Sequence, residues 1–360
     1  MYAKLFIESW NKKNPGWNFY GIGDREMAEA GMDCQGFAED LAVVGIQEVI
    51  AHYPEIKQTA NKILEKSKKN KPKFALLLDY PGFNLRLAPK LKAMGIPVVY
   101  YISPQLWAWK KGRVHQIRKN VDDMLVVFPF EVDFYKDYDI EANFVGHPLV
   151  EVVENELAQT QASTSTGKSL GLMPGSRKSE IKHNLQTQLA AAEKLRGLHP
   201  DLKIKLLLAP TLDKEWVKSQ FTKPYEYVEL VQDKPTAMIM GCDYILSASG
   251  TATLQVALCK KPMVVMYRMN SITAFFAKLL VNTVKFFCIV NLIAGREVVR
   301  ERFQEQASPQ NLADDLNKLI VETEKREQMI ADFESIIEKL GSGGATSNVV
   351  DFLDQRYLQV

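Results

Sequence analysis

The sequence predicts an α/β protein built as two successive doubly wound domains, each a parallel sheet with helices on both faces. Three observations predict it. Short apolar strands alternate with helical segments along most of the chain, as parallel sheets with crossover helices require. The stretch 151–168 is rich in Gln, Ser and Thr, holds few large apolar residues, and divides that alternation into two runs. The length of 360 residues suits two domains better than one. The boundaries read as 1–155 and 156–340, with a closing helical segment 341–360 expected to pack back towards the first domain. Two such domains in sequence imply a cleft at the carboxyl ends of their strands.

Composition excludes several classes. With 46% hydrophobic and 24% charged residues the chain is ordinary for a globular protein. A net charge of +2 gives no reason to expect nucleic acid as a partner. Cys34, Cys242, Cys259 and Cys288 are scattered without a C-x-x-C pair, and histidines are few. No structural zinc and no metal cofactor are therefore expected. The first ten residues carry Lys4 and Glu8 and read as an amphipathic helix rather than a secretory signal. The apolar region 272–294 approaches membrane-spanning length, but Lys278, Lys285 and Asn291 interrupt it. It reads as an amphipathic helix followed by a strand.

In chain order, residues 1–13 read as a helix with Leu5, Phe6 and Trp10 on its apolar side. Residues 17–22 read as a strand, followed by a brief helix that Gly31 can end. Residues 41–64 read as mostly helical, with Pro54 as an interruption. Their apolar positions, Val49, Ile50, Tyr53 and Ile56 among them, are denser than one buried stripe needs. They suit an ordinary core helix, or a lipid-facing patch assisted by the lysines at 66, 68, 69, 71 and 73. The strand 74–78 ends in Asp79, where parallel sheets place their ligands. A carboxylate there suits a general base, or equally a cap for the helix beginning near Phe83. The strand 98–102 leads into Ser103-Pro-Gln105-Leu-Trp107-Ala-Trp109, which suits a sugar face, an acyl chain or plain helix packing. Strands near 124–128 and 144–145 follow, the latter leading into Gly146-His147-Pro148.

In the second half two turns of small residues stand at strand ends. Pro174-Gly175-Ser176-Arg177 opens a long helix, with Ser176 able to cap it and Arg177 placing a guanidinium beside its N-terminus. Such a fork suits a diphosphate, or equally a plain solvated arginine. Ser249-Gly250-Thr251 follows the strand 244–246, and its backbone N–H groups suit a phosphate; a simple helix cap is the plainer reading of Ser249 and Thr251. Two anion-suited turns in one α/β half point to a nucleotide diphosphate.

Taken together, LLLDYPGFNLRLA, YYISPQLWAWKKGRV, FPFEVDFY, FVGHPL, LMPGSRKSEI, SASGTATLQVAL, KPMVVMYRMN and NLIAGREVVRE resemble the lipid-A-disaccharide synthases, a family of GT-B glycosyltransferases. The resemblance implies two Rossmann-like domains facing a cleft. It implies condensation of UDP-2,3-diacylglucosamine with 2,3-diacylglucosamine 1-phosphate (lipid X), with inversion, to give a tetraacyl disaccharide 1-phosphate and UDP. It implies no cofactor, and a cytoplasmic enzyme held peripherally at the inner membrane of a Gram-negative bacterium. By the same resemblance Asp79 is the base towards the acceptor 6-hydroxyl, and Arg177 stabilises the departing UDP. Gly175, Ser176, Ser249, Gly250, Thr251, Gln255, Asn291, Arg296 and Glu297 lie with the nucleotide sugar. Ser103, Gln105 and Trp107 lie on the acceptor side, and His147 at the hinge.

Two departures from the family pattern stand out. Many members carry Glu where this chain has Gln255, and an amide offers one carbonyl acceptor in place of a carboxylate. The chain also begins inside what reads as the first helix, without the family's preceding strand and G-E-x-S-G-D loop. The expectation is therefore an incomplete first-domain sheet and low or no activity. Competing readings are another UDP-sugar enzyme of the same fold, such as a lipid-linked N-acetylglucosaminyl transferase or a UDP-N-acetylglucosamine 2-epimerase, and a catalytically silent nucleotide- or lipid-binding relative.

Overall fold

The structure, a computed structural model, describes residues 1–37, 53–108, 110–159, 168–269 and 286–359. It divides into two compact units, residues 1–148 with 343–360, and residues 149–342.

The first unit holds a four-stranded parallel sheet of β3 (Ala75–Leu78), β4 (Val98–Tyr101), β5 (Asp123–Val126) and β6 (Ala142–Phe144), hydrogen-bonded in that order. The runs are near-continuously apolar because helices cover both faces. All four residues of β4 are buried. Helices Pro81–Ala93 and Val114–Asn120 add Phe83, Leu87, Leu91 and Ile117 to the core, and Tyr135 joins it from helix Phe130–Lys136.

A separate parallel pair, β1 (Tyr20–Gly23) and β2 (Asp33–Phe37), was not expected in full. The sequence signals only β1, because the Asp33-Cys-Gln-Gly-Phe37 run lacks both alternation and β-branched residues. Helix Tyr2–Lys13 buries Phe6, Ile7 and Trp10. Helix Ala345–Tyr357 lies against it, with Lys13 paired to Asp351 and Asp354, and the Tyr357 ring stacked 5.2 Å from Phe74.

In helix Tyr53–Asn70, Pro54 stands in the first turn, where its missing N–H costs little. Ile63, Leu64 and Ser67 are buried and Ile56 is packed half-buried against the core, while Lys57, Lys62, Lys68 and Lys69 are exposed. Val49 and Ile50 lie outside the described residues, as does the Tyr53 side chain.

The second unit is a six-stranded parallel sheet: β7 (Ser169–Met173), β8 (Lys203–Leu207), β9 (Val228–Val231), β10 (Tyr244–Ala248), β11 (Met263–Tyr267) and β12 (Arg300–Phe303). Its order is β12-β11-β10-β7-β8-β9. From β7 the chain winds outward through β8 and β9, then returns to β10 and winds the other way. The switch point therefore lies between β7 and β10, the position where open α/β sheets bind ligands.

One expected strand is a helix. Residues 289–294 form helix Ile289–Ala294, ended by Gly295 at φ 71°, the left-handed conformation of a helix C-cap. A short apolar run does not separate strand from helix by period alone. Among the described residues no helix is long and apolar enough to cross a membrane.

Candidate active site

Asp79 follows β3 directly, and its backbone is strained. Asp79 and Tyr80 have φ of 42° and 39°, and Ile102, at the end of the neighbouring β4, has φ of 63°. Left-handed backbone costs a residue with a side chain about 1–3 kcal/mol, and a β-branched residue is a clear outlier there. Hydrogen bonds hold the strain in place. Tyr100 donates its hydroxyl to the Asp79 carbonyl at 2.6 Å, and the Asn84 amide donates to the carbonyls of Asp79 at 2.7 Å and Leu78 at 2.9 Å. Ile102 N–H donates to Leu125 at 3.2 Å.

The Asp79 side chain does not cap the following helix. The N-cap of Pro81–Ala93 is Tyr80, which makes no side-chain capping bond. Asp79 stays accessible at the sheet edge. Even so, protein around its carboxyl desolvates it and raises its pKa, with an opposing hydrogen bond from Tyr80 N–H.

The loop after β4 sits beside Asp79, because Leu78 pairs with Tyr101 across the two strands. Ser103 is buried, with its hydroxyl 2.7 Å from that of Tyr135. Gln105 is exposed and Trp107 half-buried. The indole of Trp107 meets the Phe130 ring edge-on at 5.2 Å and donates to Glu131 at 3.3 Å. Phe130 stacks on Phe128, which packs against His147 at 5.1 Å. His147 is buried among these rings, and burial lowers its pKa to about 4, so it is neutral at pH 7. The carboxyl ends of β3, β4, β5 and β6 thus gather Asp79, Ser103, Trp107, Glu131 and His147.

In the second unit, Met173 pairs with Ser247 across β7 and β10. This register sets the two small-residue turns side by side at the switch point. They differ in kind. Helix Thr251–Leu258 starts at Gly250 with no side-chain cap, and Gly250 and Thr251 are exposed. Ser249 does not cap it either, since its hydroxyl donates to the Phe287 carbonyl at 3.4 Å. These N-terminal amides suit an anion.

At the other turn the amides are engaged. Glu180 reaches back to accept from Ser176 N–H at 2.8 Å and Arg177 N–H at 3.3 Å, and pairs with the Arg177 guanidinium at 3.3 Å. Glu180, not Ser176, caps helix Lys178–Leu198. Gly175 permits this approach, since a Cβ there would lie 2.5 Å from Glu180. Arg177 itself is exposed. Glu180 was missed in the sequence, although a Glu three residues after the N-cap is a recognisable start signal.

Gln255 donates its amide to the buried Thr236 hydroxyl at 3.1 Å. Asn291 is fully buried and locally committed. It donates to Val299 O and Glu301 and accepts from Val298 and Val299 N–H, so it shapes the loop before β12. Arg296 makes two parallel bonds to Asp332 at 2.9 and 2.7 Å, and Glu297 pairs with Arg300. The structure therefore gathers Ser249, Gly250, Thr251, Gly175, Ser176 and Arg177 at one switch point. It gives Asn291, Arg296 and Glu297 structural partners of their own.

The sequence model of the lipid-A-disaccharide synthetase family matches residues 1–348. A lipid-A-disaccharide synthase of Trichlorobacter lovleyi is 37% identical over 350 residues, 96% of this chain and 91% of the relative. That of Nitrosococcus oceani is 40% identical over 348 residues, 95% and 89%. Among solved structures, the UDP-GlcNAc 2-epimerase of Neisseria meningitidis bound to UDP-GlcNAc aligns with a TM-score of 0.67 at 14% identity, covering 99% of this chain and 97% of that one. The calicheamicin glycosyltransferase CalG4 aligns with a TM-score of 0.61 at 14% identity, over 99% and 96%. At such identities the structures establish the fold, which is of the GT-B type.

Proposed function

The chain belongs to the lipid-A-disaccharide synthase family, which makes it a glycosyltransferase of lipid A biosynthesis, and on that premise we propose how its residues divide the work. The donor is UDP-2,3-diacylglucosamine and the acceptor lipid X. Asp79 takes the proton of the acceptor 6-hydroxyl as that oxygen attacks the anomeric carbon. The C1–O bond to UDP breaks with inversion, and the electron pair leaves on the diphosphate. The raised pKa of Asp79 strengthens it as a base.

The diphosphate lies across the switch point of the second sheet. The observation that carries this reading is the pairing of β7 with β10, with Ser249-Gly250-Thr251 and Gly175-Ser176-Arg177 side by side at their ends. The open N-terminus of Thr251–Leu258 receives a phosphate oxygen, and Arg177 neutralises charge as UDP departs. Gln255, steadied by Thr236, offers its carbonyl to a ribose hydroxyl. Asn291, Arg296 and Glu297 act indirectly by fixing the loop before β12. Ser103, Gln105, Trp107 and His147 form the acceptor side.

The enzyme works from the cytoplasm at the inner-membrane surface, to which the lysine face of helix Tyr53–Asn70 and the neighbouring Lys71 and Lys73 draw it electrostatically. Incubating the full chain with both diacylated sugars and identifying the product by mass tests the assignment. A tetraacyl disaccharide 1-phosphate is expected. A 2-epimerised donor, or no disaccharide, would overturn it.

A further inference from the structure

Glu131 is only 1% exposed, and among the described residues no cation forms an ion pair with it. Burying a carboxyl away from any cation is costly, and such a group persists where its hydrogen bonds are fully used. Its bonds are specific. Oε1 accepts from the Trp107 indole N–H at 3.3 Å, and Oε2 from Phe128 N–H at 3.1 Å. Beside it, the Ser103 hydroxyl donates to the Pro104 carbonyl at 3.0 Å and lies 2.7 Å from the Tyr135 hydroxyl. Tyr135 is fully buried and lies in the electrostatic neighbourhood of Tyr100, whose own hydroxyl holds the strained Asp79 carbonyl. One carboxyl thus ties the loop that starts at the left-handed Ile102 to the turn that follows β5.

An apolar side chain would fill the same volume without the desolvation penalty. What it would not do is fix the rotation of the half-buried Trp107 ring through a hydrogen bond to its indole N–H. We propose that Glu131 is a positioning residue of the transferase: it fixes the Trp107 indole, and so sets how the sugar acceptor is held beside Asp79. The proposal rests on the acceptor-side reading of the 103–108 loop. It makes Glu131 a determinant of acceptor binding without contact to the acceptor. Donor binding at the second sheet is independent of it.

The test uses the full chain in detergent micelles, with initial rates measured as acceptor and donor are varied in turn. Glu131→Gln keeps the shape but supplies one acceptor oxygen where the carboxyl supplies two. Trp107→Phe keeps an aromatic ring and removes the indole N–H together with the pyrrole half of the indole. Each is expected to raise the acceptor KM roughly 5- to 30-fold, the effect of one hydrogen bond to a charged or buried partner. The donor KM should change less than about twofold, and thermal unfolding should show both variants folded. The double variant should be no worse than the stronger single one, because both act on one contact.

Multiplying effects in the double variant would overturn the proposal. So would an unchanged acceptor KM in Glu131→Gln beside a raised one in Trp107→Phe. That second result would leave the acceptor-side reading standing, whereas an unchanged acceptor KM in Trp107→Phe would sink both.

Discussion

Asp79 is held in a backbone conformation that it would not choose alone. The Tyr100 hydroxyl and the Asn84 amide clamp its carbonyl, so its carboxyl is presented from a fixed point at the end of β3. Asp79→Asn keeps shape and clamps and removes the base. It should cut turnover about 100- to 10,000-fold with thermal unfolding unchanged, and near-normal turnover would remove Asp79 from the mechanism. Two buried groups of the first unit have opposite pH signatures. His147 is held down to about 4 from an ordinary 6.5, so the stability it contributes is present above pH 6.5 and is lost as pH falls towards 4. Burial pushes Glu131 up to about 7 from 4.5, so ionising it destabilises the fold progressively between pH 4.5 and 7, and fully above. Glu131→Gln removes that penalty, of order ~3 kcal/mol. Relative to wild type, its melting temperature should therefore rise by roughly 5 °C between pH 5 and pH 8. A gap that stays constant with pH would mean that Glu131 does not titrate in this range.

The two helix starts at the second sheet's switch point show what an element adds beyond its residues. Thr251–Leu258 begins open, whereas Lys178–Leu198 begins with its own carboxylate in place, and Glu180 sets a negative charge beside Arg177. Glu180→Gln keeps an acceptor for the turn and removes that charge. UDP should bind several-fold more tightly by calorimetry, and weaker binding would show that Glu180 serves mainly to order the turn. Helix Tyr53–Asn70 turns Ile56 against the core and its lysines outward. Ile56→Ser should accordingly cost about 1–3 kcal/mol in urea unfolding rather than detach the protein from lipid. An unchanged midpoint would return Ile56 to the lipid face.

Much of this was legible in the sequence. The strands leading to Asp79, Ser103, Gly175 and Ser249 are continuous apolar runs ending in turn residues, a local signal. The strand Asp33–Phe37 was not, because it is specified by its partner β1 and not by its own pattern. Glu131 reads as an ordinary polar residue of an amphipathic helix. Its bond to the Phe128 amide is a local contact three residues back, whereas only the fold brings the Trp107 indole to it.

At the scale of the molecule, the proposed mechanism draws a different part of the reaction from each unit. The first sheet carries Asp79 on a strained backbone at the end of β3, which suits proton removal from a sugar hydroxyl. The second ends in two turns at a switch point, which suits a nucleoside diphosphate. Transfer requires both, so donor cleavage must depend on the acceptor and on Asp79 together. The most direct measurement is UDP release by the full chain from UDP-2,3-diacylglucosamine, with and without 2,3-diacylglucosamine 1-phosphate. Release only when both are present, and its loss in Asp79→Asn, is the predicted result. UDP released equally fast without the acceptor, or undiminished in Asp79→Asn, would contradict the account.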